Sequence, residues 1–249
     1  MWVLYVDLEH ERVRADAEMG PAHRAKLEEA GRRLGEASGE PCETALAEDV
    51  TPGRIAERAP SAMVLSGCTT DWAAYDFRAW EGLLEVIRAG AVPTLGICAG
   101  HQVIGLAHGV PWGPLGPLET GEEDPDPRFA PGQRKQRGFQ PVHLDPACPL
   151  FAGEGETTTV FQSHYWQLEA VPDGFVRRAS SAWSPIQAIE RRDRPVFGVQ
   201  FHPERFDPSH PAGGRVLKNF FAAARQALGV GPADANRAGG PAHGRDERL

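Results

Sequence analysis

Two stretches of this chain hold residues able to break an amide bond. The first is Val92-Pro93-Thr94-Leu95-Gly96-Ile97-Cys98-Ala99-Gly100-His101-Gln102. A short apolar run leads directly into Gly-x-Cys-x-Gly and then into a helical pattern. This is the cysteine counterpart of the nucleophile elbow, where a strand turns sharply into a helix and the nucleophile sits at a strained apex. Gly96 and Gly100 would remove side chains that collide at such a turn. The helix N-terminus would point free N–H groups and a partial positive charge at Cys98, favouring a thiolate and a developing oxyanion. The plainer reading of such a cysteine is a small buried hydrophobe.

The second stretch is Gly198-Val199-Gln200-Phe201-His202-Pro203-Glu204. His202 precedes a proline, which biases its backbone toward extended geometry. Residues two apart in an extended chain point the same way, so Glu204 can hold the His202 imidazole. An oriented imidazole that takes a proton from a thiol completes the chemistry. A solvent-exposed His-Pro-Glu at a strand end is the alternative. His101 competes as the base, but its place in the first helical turn is expected to aim it elsewhere.

Gly-Ile-Cys-Ala-Gly-His-Gln and Gly-Val-Gln-Phe-His-Pro-Glu together resemble the two signatures of class I (triad-type) glutamine amidotransferases, over about residues 1 to 225. The resemblance implies an α/β fold: an open, mostly parallel sheet of about seven strands, flavodoxin-like, with helices on both faces. It implies a catalytic triad of Cys98, His202 and Glu204. Ser66-Gly67-Cys68-Thr69-Thr70 stands where the family carries a Ser-Gly-Gly-Pro-like loop, so the Gly67 and Ala99 N–H groups are the implied oxyanion donors. Cys68-Thr69 departs from the usual Gly-Pro, and Cys68 is expected to stay an ordinary reduced thiol, with a second reactive thiol or a partner for Cys98 under oxidation as the alternative. Phe161-Gln162-Ser163-His164-Tyr165-Trp166 resembles the segment that holds the α-amino and α-carboxylate groups of glutamine. On that basis Gln102, Ser163, Tyr165 and Trp166 line the substrate pocket. The Tyr-Trp pair is not the commonest family version, and simple packing on the sheet is its alternative.

The implied reaction is hydrolysis of the glutamine γ-amide through a cysteine thioester, with no metal and no organic cofactor. The family passes the ammonia to a synthetase, which here would be a separate partner. Two alternatives remain open: a stand-alone γ-glutamyl hydrolase of the related cysteine peptidase branch, and a catalytically silent binding subunit.

These residues need rigid elements to position them. Val3–Leu8, Ala62–Leu65 and Val92–Ile97 read as buried strands, and Ala22–Ala37, Asp76–Ala89 and a helix from the elbow to about His108 read as helices. That alternation argues for a mostly parallel sheet covered on both faces. Pro111–Gly138 is rich in Pro and Gly, with an acidic cluster from Glu119 to Asp126 and then Arg134, Lys135 and Arg137. It reads as a long surface loop, and is a candidate partner surface or lid. Later strands are expected at Gln140–Leu144, Thr157–Phe161, Phe175–Ala179, Ile186–Glu190 and Val196–Gln200, with a closing helix at Ala212–Ala227. Residues 1–228 form the expected domain and 229–249 a disordered tail.

Composition limits the rest. A chain of 249 residues, 41% hydrophobic and 24% charged, is ordinary for one large α/β domain. Its net charge of −8 argues against nucleic acid or anionic membrane as the main partner. Met1 to Asp7 reads as a first strand rather than a signal peptide. Four cysteines without a CxxC pair argue against zinc and disulfides and favour the reducing cytoplasm.

Overall fold

The computed structural model describes residues 1–229. The expected disordered tail therefore lies, from residue 230 on, outside the described residues. Five strands form the parallel half of a nine-stranded sheet: β1 (Val3–Asp7), β2 (Cys42–Leu46), β3 (Ala62–Leu65), β4 (Thr94–Ile97) and β11 (Val196–Val199). Their spatial order is β2-β1-β3-β4-β11, the flavodoxin-like order. All but β2 are buried along their whole length, as parallel strands covered on both faces must be. Their side chains alternate between two cores. Val3, Tyr5 and Val64 face one, and Leu4, Val6, Met63 and Leu65 face the other.

Helices cover both faces. α2 (Met19–Ser38) and α6 (Ala212–Ala227) pack on the first face through Ala30, Leu34, Val216, Leu217 and Phe220. α4 (Glu81–Ala89) and α5 (Ala99–Ala107) pack on the second through Leu83, Val86, Ile87, Val103 and Ile104. Each helix lies between two parallel strands or closes the sheet, which the crossover connection requires. Two short helices complete the set. α1 (Glu11–Arg14) follows β1, and α3 (Pro52–Arg58) is capped by Thr51, whose hydroxyl accepts from the Arg54 N–H, with Pro52 at the first position. The Asp76–Ala89 pattern resolves into a 3₁₀ turn, Phe77–Trp80, followed by α4. No helix among the described residues is long and apolar enough to cross a membrane.

The sheet has nine strands rather than about seven, and the second half is antiparallel. β10 (Ala188–Arg191), β9 (Phe175–Ser180), β6 (Gln136–Leu144) and β7 (Thr157–His164) extend it in that order beyond β11. β6 and β7 pair along their full length, while β6 touches β9 only at His143 and Leu144. The hairpin therefore splays from the sheet and carries Arg137 and Ser163 toward the elbow. A separate pair, β5 (Trp112–Pro114) with β8 (Trp166–Leu168), ties the start of the Pro/Gly-rich segment to the end of that hairpin.

Candidate active site

Three side chains meet at the carboxyl ends of the parallel strands, the usual ligand position of an open α/β sheet. Cys98 follows β4 directly and stands before α5 with φ +52° and ψ −101°. A non-glycine residue in that region is strained and is held there only by its surroundings. Its N–H donates to the Val199 carbonyl at 2.8 Å, which fixes the elbow to β11. The flanking glycines are required by space: a Cβ on Gly96 would come within 2.5 Å of the Gly100 backbone, and one on Gly100 within 2.6 Å of the Leu65 Cβ.

His202 follows β11 after Gln200 and Phe201. Its N–H donates to the Phe161 carbonyl at 2.8 Å, so β7 anchors it. Its Nδ1 lies 2.7 Å from Glu204 Oε1. Burial opposes charge on the imidazole, but Glu204 and then Cys98 outweigh it, and the pKa is raised to about 10. The ring is thus held as an imidazolium at neutral pH. Arg33 of α2 donates to the Glu204 carbonyl at 2.9 Å and the Phe206 carbonyl at 2.8 Å, pinning the turn that carries the carboxylate.

Gly67 closes the other side. A Cβ there would sit 2.9 Å from His202 Cε1 and 3.6 Å from Cys98 Cβ, so only glycine lets the backbone approach both. Ala99 opens α5, where its N–H lies outside the intrahelical ladder. His101 is elsewhere: it is fully buried, its ring abuts Gly198, and burial lowers its pKa to about 3. A neutral imidazole packed on the sheet does not compete with His202. Cys68 donates to the Thr70 carbonyl at 3.5 Å, and burial pushes its thiol up, away from a reactive thiolate. All four cysteines are free thiols.

The pocket residues are present but differently engaged. Gln102 lies beside the thiol, yet its amide is fully used: it accepts from Trp72 Nε1 at 2.7 Å and donates to the Trp166 carbonyl at 3.1 Å and Gln200 Oε1 at 2.9 Å. Gln200 in turn donates to Cys98 Sγ at 3.7 Å. The Ser163 carbonyl lies 3.9 Å from Cys98 Sγ, while its hydroxyl accepts from Arg137. Tyr165 donates to Asp71 Oδ2 at 2.7 Å, and burial, with Asp71 beside it, raises its pKa to about 12. His164 is buried between the Trp166 carbonyl and Gln136, and burial lowers its pKa to about 4.

Two spaces adjoin the site, one at the thiol and one at the imidazole. A slot of about 30 Å³ is lined by Cys98, Gln102, Phe129, Ser163, Tyr165 and Trp166. A groove of about 690 Å³ lies on the imidazole side, bordered by Gly67, His202, Glu204, Arg33 and Arg205. Phe129 stands between them and packs edge-on against Tyr165. It is held by Lys135, a fully buried ammonium that bonds Asp124 at 2.7 Å and the carbonyls of Asp126, Phe129 and Ala130. Sequence reading did not single out Phe129, Asp71, Trp72 or Gln200. Only Gln200 had a local signal, since it sits inside the His202 stretch.

The structure is thus an α/β protein with a cysteine at a strand-to-helix elbow and, near it at the strand ends, an imidazole held by a carboxylate. Comparison with known proteins narrows the class. The family described as glutamine amidotransferase class-I matches residues 25–224, and the chain belongs to that family. A GMP synthase [glutamine-hydrolyzing] subunit from Methanosarcina mazei is 32% identical over 184 residues, covering 72% of this chain and 82% of that protein. GMP synthase [glutamine-hydrolyzing] of Lactococcus lactis subsp. cremoris is 33% identical over 175 residues. That match spans 70% of this chain but only 30% of the longer relative. The crystal structure of a glutamine amido transferase from Methylobacillus flagellatus shares the fold, with a TM-score of 0.60, 18% identity, and 90% and 94% of the two chains covered.

Proposed function

We propose that this chain hydrolyses the γ-amide of glutamine to glutamate and ammonia, with Cys98 as nucleophile, His202 as general acid and base, and Glu204 as its orienting carboxylate. The observation that carries the reading is the 2.7 Å pairing of His202 with Glu204 at the elbow of Cys98. The thiolate attacks the γ-carbonyl carbon, and the oxyanion forms between the Gly67 and Ala99 N–H groups. The imidazolium protonates the amide nitrogen of this intermediate, and the C–N bond breaks to release ammonia and leave the thioester. Water, deprotonated by the imidazole, then attacks the thioester, and the thiolate leaves with glutamate as product. Gln102, Ser163, Tyr165 and Trp166 shape the slot for the amino-acid end of the substrate.

The ammonia would pass to a separate synthetase of the GMP-synthase type, in the cytoplasm, as the likeness to the Methanosarcina protein supports. The wide groove beside His202 favours one second reading, in which the leaving group is an amine larger than ammonia. Ammonia release from glutamine and amine release from γ-glutamyl amines, each measured with wild type and Cys98→Ser, with and without such a synthetase, test both. Undiminished turnover by Cys98→Ser would sink the assignment. Turnover of γ-glutamyl amines but not glutamine would replace the first reading with the second.

A further inference from the structure

The loop after β3 carries Cys68-Thr69 where the resemblance implies Gly-Pro, so it lacks the proline that would fix φ there. Something else must hold the Gly67 N–H in place. The structure supplies a carboxylate. Glu9 follows β1 and is 3% exposed. Its Oε2 accepts from the Thr69 N–H and the Thr69 hydroxyl, both at 2.7 Å. Its Oε1 accepts from the Thr70 hydroxyl at 2.7 Å, the Thr70 N–H at 3.3 Å and its neighbour's His10 N–H at 3.0 Å. Next to it, the Leu8 N–H donates to Ser66 Oγ at 2.9 Å, and Ser66 Oγ donates to the Gly67 carbonyl at 2.8 Å. The segment after β1 is thus bonded directly to Ser66, Thr69 and Thr70, and reaches Gly67 through the Ser66 hydroxyl.

We infer that Glu9 is a positioning residue for amide cleavage: its carboxylate clamps Thr69 and Thr70 and so aims the Gly67 N–H at the oxyanion. The inference rests on the proposed reading of Cys98 and Gly67. Two oxygens offer about four lone-pair sites, and five donors already occupy them, so Glu9 has no capacity left for substrate. Its replacement by an apolar residue would leave the N–H and hydroxyl of exposed Thr69 and of buried Thr70 without their acceptor. The loop would then relax, and the donor would move off its target while the thiol and imidazole stayed in place on β4 and β11.

The test compares wild type, Cys98→Ser, Glu9→Ala and Glu9→Gln in a glutaminase assay, alongside the rate at which iodoacetamide alkylates Cys98. Alkylation uses the thiolate but forms no oxyanion, so it separates the two roles. Loss of one oxyanion donor costs about 10²- to 10³-fold in kcat. Glu9→Ala is expected to lose about 10²-fold in kcat with little change in KM and an unchanged alkylation rate. Glu9→Gln retains one acceptor oxygen, so its loss is expected to be about tenfold. Wild-type kcat in Glu9→Ala overturns the inference, and so does a parallel fall in kcat and alkylation, which marks damage to the thiol site instead. If Glu9→Ala does not fold, Glu9→Gln decides the matter, since wild-type kcat there overturns the clamp as well. Activity in Cys98→Ser would instead overturn the underlying reading, whatever Glu9 does.

Discussion

Replacing Glu204 by glutamine tests the charge that holds His202. The carboxylate lies 2.7 Å from Nδ1, and it is the largest influence raising the imidazole to about 10 against burial. Glutamine keeps the shape but removes the charge. A hydrogen bond to a charged group contributes about 1.5–3 kcal/mol. At 1.36 kcal/mol per tenfold, its loss corresponds to a fall of about 10- to 150-fold in kcat/KM at neutral pH. The pH profile carries a second signature. On the proposed mechanism the amide nitrogen takes a proton from the imidazolium and leaves as ammonia, so activity should fall as pH rises through the His202 pKa, and without Glu204 burial should move that limb toward acid. Stability follows the same sign. The folded-state pKa lies above the unfolded value near 6.5, so the stabilisation is complete below about pH 6.5 and is lost as pH rises toward 10. In Glu204→Gln that decline in melting temperature should flatten. An unshifted alkaline limb, with kcat/KM within about twofold of wild type, would refute the argument.

Two further changes probe the scaffold. Gly100→Ala places a methyl 2.6 Å from the Leu65 Cβ and pushes α5 off β3. Overpacking costs about 1–3 kcal/mol, which at roughly 2–4 °C per kcal/mol lowers the melting temperature by about 2–12 °C in a thermal melt. Lys135→Met removes the ammonium that gathers Asp124 and three carbonyls. Trypsin should then cut at Arg128 at least about tenfold faster, because the segment opens locally rather than globally.

The elbow was legible because its constraints are local. Two glycines and a cysteine between an apolar strand and a helix admit few other geometries. The His202 stretch was legible for the same reason: a proline and a two-residue spacing place the carboxylate. Ala62–Leu65 and Ala212–Ala227 matched their elements to the residue, since buried runs and helical stripes report directly on the core. Cys42–Leu46 was missed because it is an edge strand, half exposed, whose Glu43 and Thr44 break the apolar pattern. Gln136–Gly138 looked like loop because Gln136 meets His164 of β7 and Gln187, just before β10, which lie far along the chain. The Pro/Gly-rich segment holds β5 at its start, the first residues of β6 at its end and a fully buried lysine between them. Glu9 and Phe129 gave no signal at all, because their roles depend on neighbours about 60 and 36 positions away, reached only through the fold.

The slot beside Cys98 has room for a water or two and none for an amino acid. A glutamine entering by this slot would need Phe129 and Tyr165, packed edge-on in the structure, to part. Apparent affinity would then be the intrinsic affinity multiplied by the fraction of molecules in which they have parted. Were one molecule in about a hundred open, KM would stand about a hundredfold above the value set by the pocket's own contacts. A protein that drew the Asp124–Ala130 segment aside would lower KM by up to that factor and leave the cleavage step as it was. Glutamine affinity would then report on how readily that segment moves as much as on the residues that touch glutamine.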